Sequence, residues 1–235
     1  CDAGCAEAWE LCTGDEDIIV AVMDEAVMWS HPDLADNIWI NEGEELNAGV
    51  DADGNGYVDD IHGWNCVREC GDVTADAHGT HVAGTIAAVN NNGFAVCGIA
   101  GGTGNGDGVR LMSIQIFEND KGCYSHQIAK GIRYAADNGA AIANNSWGYN
   151  TGDYYSDDEY VQYCGVVQDA IDYFKTKGGL EGVMDGGLMI FAAGNDSADC
   201  ANYPGAYNNT LCVAAIAPNF TPAFYTNHGP GTNLC

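Results

Sequence analysis

Short apolar runs separated by segments of helical spacing predict an α/β fold, a parallel sheet with helices on both faces. Two observations carry this. The runs are continuous rather than alternating, as strands buried on both sides are, and each is followed by a stretch long enough for a crossover helix. In chain order, "IIVAVM" (Ile18 to Met23) reads as the first strand and His81 to Val89 as a helix. "VRLMSIQIF" (Val109 to Phe117), a helix over His126 to Asp137, and the strand "AAIANN" (Ala140 to Asn145) follow. Val166 to Lys177 reads as a further helix, and "LMIFAA" (Leu188 to Ala193) and "LCVAAIA" (Leu211 to Ala217) as the last strands. The acidic stretches 41–76 and 149–163, containing Gly and Tyr, read as loops. Functional groups are expected just beyond the carboxyl ends of the strands.

The 235 residues suit one domain, with no linker to divide them. Against 34 acidic residues stand 7 basic ones, a formal charge of -27 that repels phosphate backbones and anionic lipid, so nucleic acid is excluded as a partner. The excess carboxylate suits a solvated surface, bound cations, solubility in salt or basic partners. No run is long enough to span a membrane, and "CDAGCAEAWELC" is not a signal peptide. Eleven cysteines without a C-x-x-C pair point to an exported, disulfide-bearing protein. Because eleven is odd, one thiol stays free or joins another molecule; Cys212, in an apolar run, reads as a buried free thiol, and Cys235 as one that can reach a partner.

Three segments carry candidate chemistry. Asp24 closes the first strand in "VAVMDEA". His78, in "DAHGTHVAGT", stands at a helix mouth where Gly79 and Gly84 allow close packing, while His81 reads as a packed core histidine. Asn195 ends the strand in "AAGND"; its amide is a neutral donor that can face a developing oxyanion, and Gly194 leaves room for substrate. A fourth segment, "DADGNGYVDD", fits D-x-[DN]-x-[DN]-G, with Asp51, Asp53, Asn55, the Tyr57 carbonyl and Asp59 as candidate Ca2+ ligands. Its twelfth position is His62, so it is no EF-hand and a further ligand is needed, for which Asp60 is a candidate.

Taken together with "HPDL", "NNSWG" and "YPGAY", these segments resemble the subtilisin-like serine proteases, in the family's order of acid, histidine, nucleophile. The resemblance implies that Asp24 orients His78, that His78 is the general base, and that Asn195 completes the oxyanion hole. It also implies that Gly122 and Ser146, Trp147 and Gly148 flank an extended peptide substrate. Calcium is implied as well, both at the acidic loop and at a second position formed by Asp33 and Asn91. Two departures stand out. Glu25 and Ala26 replace the small residue and glycine that usually follow the acid, and the nucleophile's Gly-Thr-Ser-Met-Ala is absent. None of the six serines has that setting; "FYTNHGPGTNLC" matches the segment that precedes it, leaving the subtilisin-like domain 1–235 without its C-terminal part. Three readings are open: a second chain carrying the serine, tied on through the odd thiol; a longer chain of which this is a portion; and an inactive scaffold with a structural, assembly or binding role.

Overall fold

The computed structural model describes residues 4–45, 48–119 and 121–235. After a short helix α1 (Cys5–Trp9) comes strand β1 (Ile19–Asp24), then a 3-10 turn at Ala35–Asn37, β2 (Gly63–Asn65), α2 (Ala77–Ala87) and β3 (Arg110–Gln115). A small hairpin, β4 (Phe117–Glu118) and β5 (Lys121–Gly122), leads to α3 (Ser125–Asp137) and β6 (Ala140–Asn145). Helix α4 (Asp157–Lys177), a second hairpin of β7 (Gly179–Leu180) and β8 (Met184–Asp185), β9 (Leu188–Ala192) and β10 (Leu211–Val213) complete the order.

Six strands form one parallel sheet in the order β10-β9-β6-β1-β3-β2. On one face, Ala21, Met23, Met112, Ile114, Ala143, Met189 and Phe191 pack against Ile128, Ile132, Ala135, Val167, Ile171 and Phe174 of α3 and α4. On the other, Val20, Val22 and Leu111 pack against Ala83 and Ala87 of α2. Helices therefore lie on both faces, but unevenly. Among the described residues no helix covers β6, β9 and β10 on the α2 side, and Ile142, Ile190, Ala192 and Val213 are only half-buried there.

The acidic stretches are not wholly loop. Gly63–Asn65 pairs with Ser113–Gln115, and α4 starts at Asp157, nine residues before the apolar spacing begins to read as helix. Its start is a cap: the Ser156 hydroxyl accepts from the Glu159 amide, and the Glu159 carboxylate accepts from the Tyr155 amide. The chain's last residues run beside β10, where Leu234 bridges Val213 in parallel and the Asn233 side chain accepts from the Cys212 amide. Cys212 is fully buried, as expected. The described cysteines form no disulfide, and Cys1 lies outside the described residues.

Candidate active site

The turn that leaves β1 builds the site. Its last residue, Asp24, is 2% exposed, since its strand is paired on both sides. The turn is then stitched down: the Val27 amide donates to the Ser113 hydroxyl and the Met28 amide to the Thr80 hydroxyl. The second bond ties the turn directly to α2. Gly79 lets the two meet, because a Cβ there would stand 2.3 Å from the Ala26 carbonyl oxygen. A Cβ on Gly84 would meet nothing within 4 Å, so only the first of the two expected close approaches exists. Ala26 adopts φ 95°, the left-handed conformation that the usual glycine would adopt without strain.

That docking sets His78 against Asp24. His78 sits in the first turn of α2, whose N-cap Asp76 accepts from the His78 amide. Its Nδ1 is 2.7 Å from Asp24 Oδ1, which also accepts from the Glu25 amide. Facing a carboxylate, Nδ1 carries the proton, which leaves Nε2 with a lone pair on the open side of a ring that is 56% exposed. The hydrogen bond to Asp24 raises the imidazole pKa above its ordinary value. Asp24 Oδ2 is buried without a partner. Beside the pair, Glu25 neighbours Asp76; their interaction raises the Glu25 pKa, as burial also does, and lowers that of Asp76. His81, expected in the core, is exposed: its position on α2 faces away from the sheet.

Asn195 follows β9 on a loop held from beneath. Asn227, fully buried, accepts from the Asp196 and Ala198 amides and donates to Asn202 Oδ1, while its own amide donates to the Gly194 carbonyl. Gly194, at φ 110°, has no room for a side chain: a Cβ would stand 2.4 Å from Asn227 Nδ2. The Asn195 side chain is exposed and hydrogen bonds nothing among the described residues. Sequence reading missed Asn227, Asn202 and Thr151, which form this network; the "TNHG" segment was the available signal.

The proposed substrate edges divide. Gly148 is exposed, Ser146 is half-buried and accepts from Asn144 Nδ2, and Gly122 pairs with Phe117 in the hairpin. Trp147 is instead a core residue. Its indole N–H donates to Asn145 Oδ1, and its ring packs against Phe191 at 5.4 Å.

The metal candidates are partly regrouped. Asp51 and Asp53 gather with Glu44, one carboxylate oxygen from each lying within 4.8 Å of the other two. Glu44 escaped the sequence reading because it lies outside the D-x-N motif; its burial, at 8% exposure, marks it only in three dimensions. Asn55 and Asn41 donate to Asp53 and to Asp60, and the bond from Asn41 lowers the Asp53 pKa. Asp60 is fully buried, also receives the Tyr134 hydroxyl, and burial raises its pKa. Asp59 does not join this group, its carboxylate accepting from the Gly49 amide, and the Tyr57 ring packs between Trp64 and Tyr134. At the second position, Asn92 rather than Asn91 reaches Asp33, because Asn91 donates to the Thr103 carbonyl. No group of three His, Cys, Asp or Glu side chains gathers at Asp33 among the described residues.

The structure therefore orients the His78 imidazole on Asp24 and leaves the Asn195 side chain exposed on the loop after β9, with no serine hydroxyl bonded to the imidazole among the described residues. The chain is 31% identical to halolysin of Haloferax mediterranei over 97% of its own length and 37% of that protein's. It is 29% identical to the halolysin-like extracellular serine protease Nep of Natrialba magadii, over 98% of its length and 35% of Nep. The nisin leader peptidase NisP of Lactococcus lactis has the same fold, with a TM-score of 0.64 at 21% identity, over 97% of this chain and 64% of that one. The subtilase family profile matches residues 15–234, and the chain belongs to the subtilase family.

Proposed function

We propose that this chain supplies the base and oxyanion donor of a subtilisin-type serine endopeptidase whose nucleophilic serine lies outside residues 1–235. The observation that carries this reading is the 2.7 Å contact of His78 Nδ1 with buried Asp24. With Nδ1 tied, Nε2 takes the proton of the attacking serine hydroxyl and returns it to the leaving amine, while Asp24 stabilises the imidazolium between the two steps. The Asn195 amide, unengaged elsewhere, donates to the oxyanion, a contact worth about 3 kcal/mol in the transition state. Gly148, Ser146 and Gly122 offer main chain to an extended substrate. The substrate class is peptide or protein. Because one relative is named as extracellular, an exported protein is the companion proposal.

Calcium fits the acidic loop. Glu44, Asp51 and Asp53 are hard oxygen donors, and no Lys or Arg ion-pairs with them among the described residues. These three would hold Ca2+ and cancel their mutual repulsion, linking the 44–60 loop into one unit. At Asp33 the fit is poorer, since among the described residues it joins no group of three acidic, His or Cys side chains. Of the cysteines, Cys66 and Cys123 are the proposed disulfide pair in an oxidising compartment: Cys123 packs against the core cluster that holds Cys66, and its neighbouring thiol, with burial, raises the Cys66 pKa. Peptide mapping without reduction checks this pairing.

Peptide hydrolysis by the protein together with its serine-bearing partner or remaining segment tests the function. Asn195→Ala should lower kcat by about 10²- to 10³-fold with little change in KM. An unchanged kcat would remove Asn195 from the mechanism. The rival reading, an inactive scaffold, is favoured by the absent serine and predicts no hydrolysis in any combination.

A further inference from the structure

Glu25 is the unexplained residue of this site. It stands next to the acid, where the family's usual residue is small, and adds a carboxylate beside the imidazole. One ligand atom each from Asp24, Glu25 and His78 lies within 4.8 Å of the other two. The Asp24 side chain is 3% exposed, and while its Oδ1 takes His78 and the Glu25 amide, its Oδ2 is buried without any partner. A carboxylate oxygen sealed from water without a donor is unfavourable, and a cation beside it would remove that cost. Asp76, in contact with Glu25, adds further negative charge. No Lys or Arg ion-pairs with any of the three carboxylates among the described residues.

The donor set decides which cation. One imidazole nitrogen with two carboxylate oxygens suits an ion of borderline softness, whereas an all-oxygen group such as Glu44, Asp51 and Asp53 suits Ca2+. We propose that Asp24, Glu25 and His78 form a binding site for a divalent transition-metal ion of the zinc type. Three protein ligands leave a coordination position for water, as the half-exposed ring allows. The binding rests on the geometry alone. Its consequence rests on the protease reading: an ion shared with Asp24 takes the place of the proton on His78 Nδ1. The neutral ring then carries its one proton on Nε2, and Nε2 so protonated cannot accept the serine proton, so bound metal holds the enzyme latent until a chelating competitor removes it.

The test is a Zn2+ titration of the folded protein with accessible thiols alkylated and Ca2+ in excess, read by long-range 1H–15N spectra of the imidazoles. Equimolar Zn2+ should shift the His78 resonances before those of the other histidines. In Glu25→Gln the same shift should need at least a tenfold higher Zn2+ concentration, while the His78 proton shared with Asp24 persists and shows the pair intact. His78 resonances unmoved at equimolar Zn2+, or moved with equal affinity in Glu25→Gln, would overturn the site. Zinc binding without peptidase activity in any combination would contradict the protease reading alone, and activity without zinc binding would contradict this site alone.

Discussion

Ala26 and His78 show what single residues contribute. A φ of 95° is strained for any residue with a Cβ, and Ala26 is fully buried, so it cannot relax outward. Ala26→Gly should therefore stabilise the protein by about 1 kcal/mol, measured as a higher urea midpoint at unchanged m. For His78 the direction is set by Asp24. A pKa raised in the folded state contributes stability that is complete below the unfolded value of about 6.5 and is lost as pH climbs through the folded value. NMR titration should place the His78 midpoint above that of an exposed histidine, and Asp24→Asn should return it toward the ordinary value. Activity should run the opposite way, rising with pH as the neutral base appears. Asp24, His78 and Asn195 were legible in the sequence because each sits in a short local pattern. Glu44, Asn92 and Asn227 were not, because what marks them is burial or a contact between distant segments.

At the scale of elements, the strands were legible and their partners in the site less so. Continuous apolar text located β1, β3, β6, β9 and β10 to within a few residues, since their side chains are largely apolar on both faces. Among the described residues, however, helices cover β6, β9 and β10 on one face only. β2 was missed because three residues, Gly-Trp-Asn, carry no periodicity. The first turns of α4 were missed because their text is acidic and rich in Tyr, although the Ser156 and Glu159 cap is a written signal. The His81 side of α2 misled because helical spacing alone does not say which flank meets the sheet. The loop after β9 rests on Asn227, and Asn227→Ala leaves the Asp196 and Ala198 amides without their acceptor. That change should lower stability by about 1 to 3 kcal/mol and kcat through misplacement of Asn195, with urea unfolding and peptide hydrolysis as the readouts. If the proposed Ca2+ is held by Glu44, Asp51 and Asp53, chelation should lower the Tm, and Glu44→Gln should remove most of that response. An unchanged Tm in chelator would sink the calcium proposal.

For the whole molecule, charge and coverage matter most. A net -27 repels itself, and salt screens that repulsion with a Debye length of about 10 Å at 0.1 M and 3 Å at 1 M. Thermal unfolding between these salts should show a rising Tm; a flat response would mean that the carboxylates are already neutralised locally. Among the described residues the α2-side face of β6, β9 and β10 is half-bare, and Phe220 and Phe224 are exposed. The central claim is that Asp24 and His78 serve a serine held elsewhere. Labelling the native, unreduced material with a fluorophosphonate and mapping the labelled peptide tests it most directly. The account predicts a label on a serine outside residues 1–235, lost when Asp24 is replaced by Asn. No label on folded protein, or a label on one of the six serines of this chain, would contradict it.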